Sequence, residues 1–440
     1  MKKERQSGEE AIATISKLSH EGRGIAFIEG KATFINNALP GEEVKFRYTR
    51  RKSQLDEGHL VEVISASPDR VEPPCAVFGR CGGCSLQHIA PAAQIQFKQT
   101  VLAEQFLHFG QVSPEKWLEP LQAAIWAYRQ KGRLSVKFVA KKGGALVGFR
   151  EQDPRFITDM QRCEVLHPLI GERIHLLREW ISSLDAASEI PQLEVAVDDH
   201  RAATIIRHLE PLSEKDLLSI NEFAKLHDFW MYLQPKGPDT VHLVYPEQVD
   251  DLLSYSLPEH KIEMQFHPSD FTQVNMSLNR QMLNLAIELL DIQATDKILD
   301  LFCGLGNFTL PLARYAKHVV GVEGDAKMTE RAGLNAKRNQ LDNVEFFAAN
   351  LFEDVSKQDF MQQTYDKILL DPPRAGAEQI ILQLGALKAK RIVYISCNPA
   401  TLARDAGILV NKLGYKLEQA GVMDMFPHTS HVESIALFTK

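Results

Sequence analysis

No apolar run in this 440-residue chain comes near the roughly 18 residues that a membrane-crossing helix needs. Its first residues, MKKERQSGEE, bring charge where a secretory leader carries an apolar core, so a cytoplasmic location is expected. Cysteine is scarce, six in all. In a reducing compartment so few are not disulfides, and any grouping among them reads first as metal binding or catalysis. Positive charge is not in excess either: 50 Lys and Arg against 57 Asp and Glu give a net charge of -7. That excludes a chain-wide cationic surface, so a nucleic-acid partner has to be met by local patches. Internal repeats and low-complexity tracts are lacking, which leaves two or three ordinary globular domains with 44% hydrophobic residues for their cores.

What is present falls into three parts. Residues 1–67 hold short apolar runs (ATISKLS, GIAFIEG, KATFINN, LPGEEVKFRYTRR, HLVEVIS) between Gly, Asn and Pro turns, the pattern of a small antiparallel barrel. There Lys45, Arg47, Arg50, Arg51 and Lys52 interleave with Phe46 and Tyr48. They form either a site for phosphates and stacked bases or a solvated edge strand with two half-buried aromatics. Residues 68–265, after the Pro-rich joint SPDRVEPP, are a mixed α and β region with helices near 92–108 and 168–184. Its stretch YRQKGRLSVKF (128–138) puts Arg129, Lys131, Arg133 and Lys137 on a strand-like alternation, a second phosphate surface or a strand's charged outer face. In residues 266–440 a helix over 277–290 precedes KILDLF, VVGVEG, VEFFAAN, KILLDPP, RIVYIS and SIALF, which alternate with amphipathic helices as in a doubly wound α/β sheet.

In KILDLFCGLGNFT a buried strand empties into a glycine turn: Asp300, Phe302, Gly304, Gly306 and Asn307 line the place where a ligand approaches backbone. Glu323 ends the next strand, where an acid is expected to bind ribose hydroxyls. Thr309 stands where the dinucleotide fingerprint has its third glycine. This counts against a pyrophosphate-bearing NAD or FAD and favours an adenosine ligand without phosphates, S-adenosylmethionine. Asn350 and Asp371 end further strands at the same edge. The glycines alone also fit a purely structural turn.

YISCNP sets Cys397 at a strand end, with its thiol directed to that crevice. Taken alone, such a cysteine is more often inert. With DPPR upstream and HVES downstream it reads as a nucleophile: a thiolate adding to C6 of uracil makes C5 an enolate able to accept a methyl group. The C5 proton then has to leave, and Glu433 is the expected base, with His428 and His431 as alternatives.

The series FTQVN, DLFCGLGNF, GVEGD, DPPRAG, SCNPATLARD and HVES resembles the RNA uracil-5-methyltransferases. It is most similar to the bacterial 23S ribosomal RNA subgroup with an N-terminal TRAM barrel, an iron-sulfur cluster and a Rossmann-like methyltransferase domain. The resemblance covers essentially the whole length. It implies Cys397 as nucleophile, Glu433 as base, and Gln273, Phe302, Asn307, Glu323, Asn350 and Asp371 as contacts of S-adenosylmethionine. It also implies 23S rRNA as partner, presenting an extruded uridine; no membrane and no protein partner is required. Cys75, Cys81 and Cys84 form C-x5-C-x2-C, and Cys163 in MQRCEVLHP can add a fourth thiolate. By spacing, iron-sulfur and zinc stand level, and the resemblance implies a 4Fe-4S cluster. Cys303 reads as packing.

Three other functions compete. A non-catalytic iron-sulfur RNA-binding protein would not need an intact nucleophile and base. A tRNA uracil methyltransferase is the rival within the class, although such relatives often lack the barrel or the cluster. Amino-methylation of adenine or glutamine needs an aromatic after D/N-P-P, and Arg374 follows here.

Overall fold

The structure, a computed structural model, describes residues 8–440. Contacts divide the chain into two bodies: one runs to Val101 and adds Arg150–Phe156 and Phe426–His431, and the other holds Leu102–Phe149, Ile157–Met425 and Val432–Lys440.

In the first body, alternation of apolar residues makes a six-stranded sheet. Its order is Glu10–Thr14, Glu43–Arg51, Leu55–Ser65, Lys31–Asn36, Gly24–Ile28, Lys17–Leu18. Every neighbour is antiparallel except Lys31–Asn36 beside Leu55–Ser65, which are parallel, so the arrangement is mixed where a wholly antiparallel one was expected. The period-two pattern of Glu43–Arg51 turns Val44, Phe46 and Tyr48 inward onto Ile15, Ala26 and Ile35.

The second body contains two larger sheets. One has the order His242–Tyr245, Phe229–Gln234, Ala202–Arg207, Gln192–Val197, Lys131–Val139, Gly144–Gly148. The helix expected over 168–184 is broken into Pro168–Gly171 and Ile174–Ser183, because the Gly171 carbonyl accepts the Cys163 N–H instead of continuing the helical ladder. The other sheet has eight strands: Val344–Ala348, His318–Glu323, Lys297–Leu301, Lys367–Leu370, Arg391–Ser396, Glu433–Thr439, Lys416–Met423, Lys116–Trp117. The first five are parallel, and Glu433–Thr439 runs antiparallel to both of its neighbours.

All six strands read from the sequence are present. Lys416–Met423 and the short Lys116–Trp117 were not anticipated. The order reverses at Lys297–Leu301, whose chain passes first to one side of the sheet and later to the other. That reversal opens the crevice at the carboxyl ends of the strands. The hairpin Leu253–Leu257/Ile262–Phe266 lies against helix Ala326–Arg338: buried Asn335 accepts the Gln265 N–H and donates to its carbonyl at 2.9 and 3.0 Å. Residues on either side of position 265 therefore pack together. Among the described residues, no helix is long and apolar enough to cross a membrane.

Candidate functional site

Three adjacent strands end in carboxyls at the crevice: Asp300, Glu323 and Asp371. Glu323 holds the glycine turn from outside, accepting the Gly304 N–H at 3.1 Å through one oxygen and the Gly324 and Asp325 N–H groups through the other. Gly306 has φ +88°, and a Cβ there would stand 2.4 Å from Leu310, so no other residue fits without displacement. Thr309 is not glycine for a visible reason. Its hydroxyl donates at 2.5 Å to Oδ2 of the wholly buried Asp300, whose Oδ1 has no hydrogen-bond partner.

Burial pushes the Asp300 carboxyl up to about 8 against the pull of Thr309, and Asp371 and Glu323 add to the rise. Burial also raises Asp371 to about 7. A phosphate would be repelled by such a group of acids, whereas a permanent cation would be held. Cys303 lies beneath, its thiol driven far up by burial and then by Asp300 and Glu323, which fits packing and not reaction.

Phe302 turns the chain out of the strand at φ +65°, an unusual conformation for a bulky residue, with its ring 5.8 Å from that of Phe352. Asn307 is locked by a reciprocal amide pair with Asn279, both bonds 3.0 Å, and by the Tyr255 hydroxyl at 3.1 Å. Neither Asn279 nor Tyr255 was singled out from sequence. Asn350 is exposed beyond its strand and spends its amide on Glu353 and on the Phe352 N–H. Gln273 is half-buried in a loop tied to its neighbours through Gln130 N–H to the Val274 carbonyl.

Strand register places the two groups expected to react. Ser396 pairs with Ser434 across antiparallel strands, so the next residues outward are Cys397 and Glu433, cross-strand neighbours at the mouth of the crevice. Cys397 is half-buried and Glu433 is 5% exposed. Burial pushes the Cys397 thiol up to about 11; the Glu433 and Asp371 carboxylates push the same way, and the Arg374 guanidinium pulls it back. The structure thus brings Cys397, Glu433 and Asp371 together and adds Arg374, which the sequence reading had used only to exclude another chemistry.

Other expected groups lie elsewhere or have other partners. His428 is buried at φ +65°, its ring nitrogen 3.2 Å from the Gln94 amide and its N–H on the Gln94 oxygen. His431 is exposed beside the Phe426 ring. On the barrel, Lys45 and Arg47 both pair with Glu10, Arg51 with Glu9 and Lys52 with Glu57, while Phe46 and Tyr48 are core. The stacking platform is therefore corrected, because alternation turns both rings into the core; nor is this an edge strand with half-buried aromatics, since Glu43–Arg51 lies between Glu10–Thr14 and Leu55–Ser65, and its cations form a solvated, ion-paired face.

On Lys131–Val139, Arg133 pairs with Glu194, and Lys131 turns to the Asp270 carbonyl, its ammonium lowered to about 8 by burial. Lys137 stays exposed. Cys81 and Cys163 are buried, Cys75 and Cys84 are half-buried, and the Gly83 N–H donates to the Cys81 sulfur at 3.4 Å. Among the described residues, no three His, Cys, Asp or Glu side chains are grouped as a metal ion needs.

Comparison with known proteins agrees with this geometry. The tRNA (Uracil-5-)-methyltransferase family pattern matches residues 242–440, and the TRAM domain pattern matches residues 4–61. The 23S rRNA (uracil(1939)-C(5))-methyltransferase RlmD of Alcanivorax borkumensis is 54% identical over 428 residues, 97% of this chain and 96% of its own. The protein of that name from Legionella pneumophila strain Corby is 51% identical over 429 residues, 97% of each chain. In fold, the chain resembles the Pyrococcus abyssi tRNA (uracil-54, C5)-methyltransferase solved with S-adenosyl-L-homocysteine. The TM-score is 0.73 at 23% identity, over 98% of this chain and 100% of that one. With a Rossmann-like methyltransferase fold, a TRAM domain at its N-terminus and relatives this similar along its length, the chain belongs to the RNA uracil-5-methyltransferase family.

Proposed function

We propose that this protein methylates C5 of a uridine in 23S rRNA, the uracil at 1939 for which its relatives are named. The observation that carries the reading is the cross-strand pair Cys397 and Glu433 opening onto a crevice lined by three acids. S-adenosylmethionine, when bound, supplies a methyl on a positively charged sulfur. The unpartnered Asp300 Oδ1 and the raised carboxyls of Asp300 and Asp371 suit a cationic ligand of this kind. Gln273, Phe302, Asn307, Glu323, Asn350 and Asp371 are assigned as its contacts.

The Cys397 thiol gives up its proton to solvent, and its sulfur bonds to C6 of the extruded uracil as the C5–C6 electron pair moves toward O4. C5 becomes nucleophilic and takes the methyl group, whose bond to the sulfonium breaks with the electron pair left on a now neutral thioether sulfur. Glu433 accepts the C5 proton, the C5–C6 double bond re-forms and the C6–S bond breaks, which returns the sulfur. With the thiol pushed up to about 11, the resting group is protonated at neutral pH, so this reading has deprotonation accompany sulfur attack in the complex.

Cys75, Cys81, Cys84 and Cys163 are assigned to a 4Fe-4S cluster on their C-x5-C-x2-C spacing with a fourth cysteine and on the Gly83 N–H directed at the Cys81 sulfur, although as they stand their side chains are not grouped as a metal ion needs. Methyl transfer from a sulfonium needs no electron from such a cluster. The division into a barrel (1–67) that meets RNA, a cluster region (68–265) and a methyltransferase domain (266–440) is part of the same reading.

RNA carrying 5-fluorouridine tests the reaction, because a fluorine at C5 cannot leave as a proton and the adduct should persist. Cys397→Ala should abolish the adduct while leaving cofactor binding intact; an undiminished adduct refutes the assignment. Visible absorbance with iron and zinc analysis after anaerobic purification tests the metal, and a colourless zinc protein refutes the cluster.

A further inference from the structure

The loop after Leu370 brings Arg374 to the reacting thiol, yet it has no regular structure of its own. Its fixity comes from the helix that follows Cys397. Asn398, the cap of helix Pro399–Asn411, donates through Nδ2 to the Arg374 carbonyl at 2.9 Å, and the Thr401 hydroxyl reaches the same oxygen at 3.4 Å. Further along, the Arg404 guanidinium donates to the Ala375 carbonyl at 3.1 Å and to Asp405 Oδ1 at 2.8 Å. Asp405 is fully buried, and its Oδ2 accepts from the Ala377 N–H and the Tyr394 hydroxyl, both at 2.7 Å. Gly376 closes the turn at φ +79°; a Cβ there would meet Arg404 Nη2 at 2.6 Å and Asp405 Oδ2 at 2.7 Å. Each residue from Arg374 to Ala377 is therefore either bonded to this group or packed on it.

A buried carboxylate is costly unless donors saturate it, and an apolar side chain of similar size would serve packing as well. What Asp405 holds is the better explanation of its presence. We propose that Asp405 is a positioning residue for methyl transfer: through Ala377, Arg404 and Tyr394 it fixes the 374–377 turn, so that Arg374 stays beside the Cys397 sulfur. This rests on Cys397 being the nucleophile.

The charged groups facing the thiol are Glu433 from the adjacent strand and Asp371 and Arg374 from the loop. Asp371 is held independently by the sheet, its N–H on the Leu301 carbonyl at 3.3 Å. Loosening the clamp therefore frees the arginine alone, the one group of the three that favours the thiolate.

The test is alkylation of Cys397 by iodoacetamide in the full-length enzyme, followed on its own peptide by mass spectrometry at several mildly alkaline pH values. Below the thiol pKa the rate follows the thiolate fraction, so Asp405→Asn should slow it by roughly threefold to tenfold. Arg374→Gln should slow it alike, and the double variant should lose nothing further. The kcat for methylation should fall by about tenfold to a hundredfold with KM for S-adenosylmethionine unchanged. Tyr394→Phe, which removes a single donor and spares the charge, should show the same pattern more weakly and covers the case in which Asp405 variants do not fold.

A lower melting temperature with wild-type alkylation and kcat, in whichever variant folds, would mean a merely structural residue and overturn the proposal. So would additive slowing in the double variant. A fluorouridine adduct that survives Cys397→Ala would overturn the nucleophile instead, and the alkylation rates would still report the clamp.

Discussion

Two halves of one sheet edge handle charge in opposite ways. Where the parallel strands end, Asp300, Glu323 and Asp371 collect acids, and burial raises two of them to about 8 and about 7. Where the antiparallel pair ends, a carboxylate faces a thiol and an arginine stands by. Burial lifts Asp300 and Asp371 in one half and the Cys397 thiol in the other, so it does not distinguish them; the neighbours do. The first half suits a ligand that arrives with its positive charge. In the reaction proposed above, the second has to generate a negative sulfur and then let it go.

The contrast is broken most severely at the sulfur. Cys397→Ala should cut product formation by at least about ten-thousandfold, measured as methyl incorporation into 23S rRNA, with cofactor affinity within roughly twofold. Next, Glu433→Gln should slow turnover by about a hundredfold to ten-thousandfold and accumulate a denaturation-resistant protein–RNA complex. The same variant should speed iodoacetamide alkylation of Cys397, since the carboxylate that helps hold the thiol up is gone. Slower alkylation would mean that the charge balance described here is wrong.

In the other half the sign runs with pH. Asp300 and Asp371 carry protons in the empty crevice below about 8 and about 7, and a cationic ligand prefers them ionised, so affinity should tighten as pH rises through that window. Asp300→Asn should weaken binding by roughly tenfold and flatten the upper part of that rise, measured by calorimetry as the difference from the parent protein. The smallest effect is expected far from both halves. Arg47→Gln on the barrel gives up only an exposed pair with Glu10, so RNA affinity should stay within about twofold and the melting temperature within about 1 °C. A large loss of RNA binding would return the barrel strand to the phosphate-binding reading.

The residues most legible in the sequence were those whose neighbours along the chain are also their neighbours in space. KILDLF, KILLDPP and YISCNP each combine a buried strand with the polar residue at its end, so Asp300, Asp371 and Cys397 could be placed at one edge before any coordinates. Pairing across distant segments was not legible. Lys116–Trp117 is too short to carry a periodic signal, and Lys416–Met423 has a mixed burial pattern without clear alternation. Asn279 and Tyr255 resemble ordinary helix and strand residues until Asn307 is laid against them. The lysines and arginines of the barrel looked like a nucleic-acid patch because opposite charges on the facing strand are invisible to a linear reading.

The ownership of Phe426–His431 bears on biosynthesis. These six residues belong to the N-terminal body, where the His428 carbonyl accepts the Ser85 and Leu86 N–H groups and the Lys98 ammonium binds the Phe426 carbonyl. A ribosome releases Ser85 and Lys98 long before it makes their partners. The amino-terminal body therefore waits, with buried donors unsatisfied, until translation is almost finished. Expression of its first segment in isolation should give a product prone to proteolysis, because Arg150–Phe156 and, last of all, the late-made hexapeptide are needed to complete it.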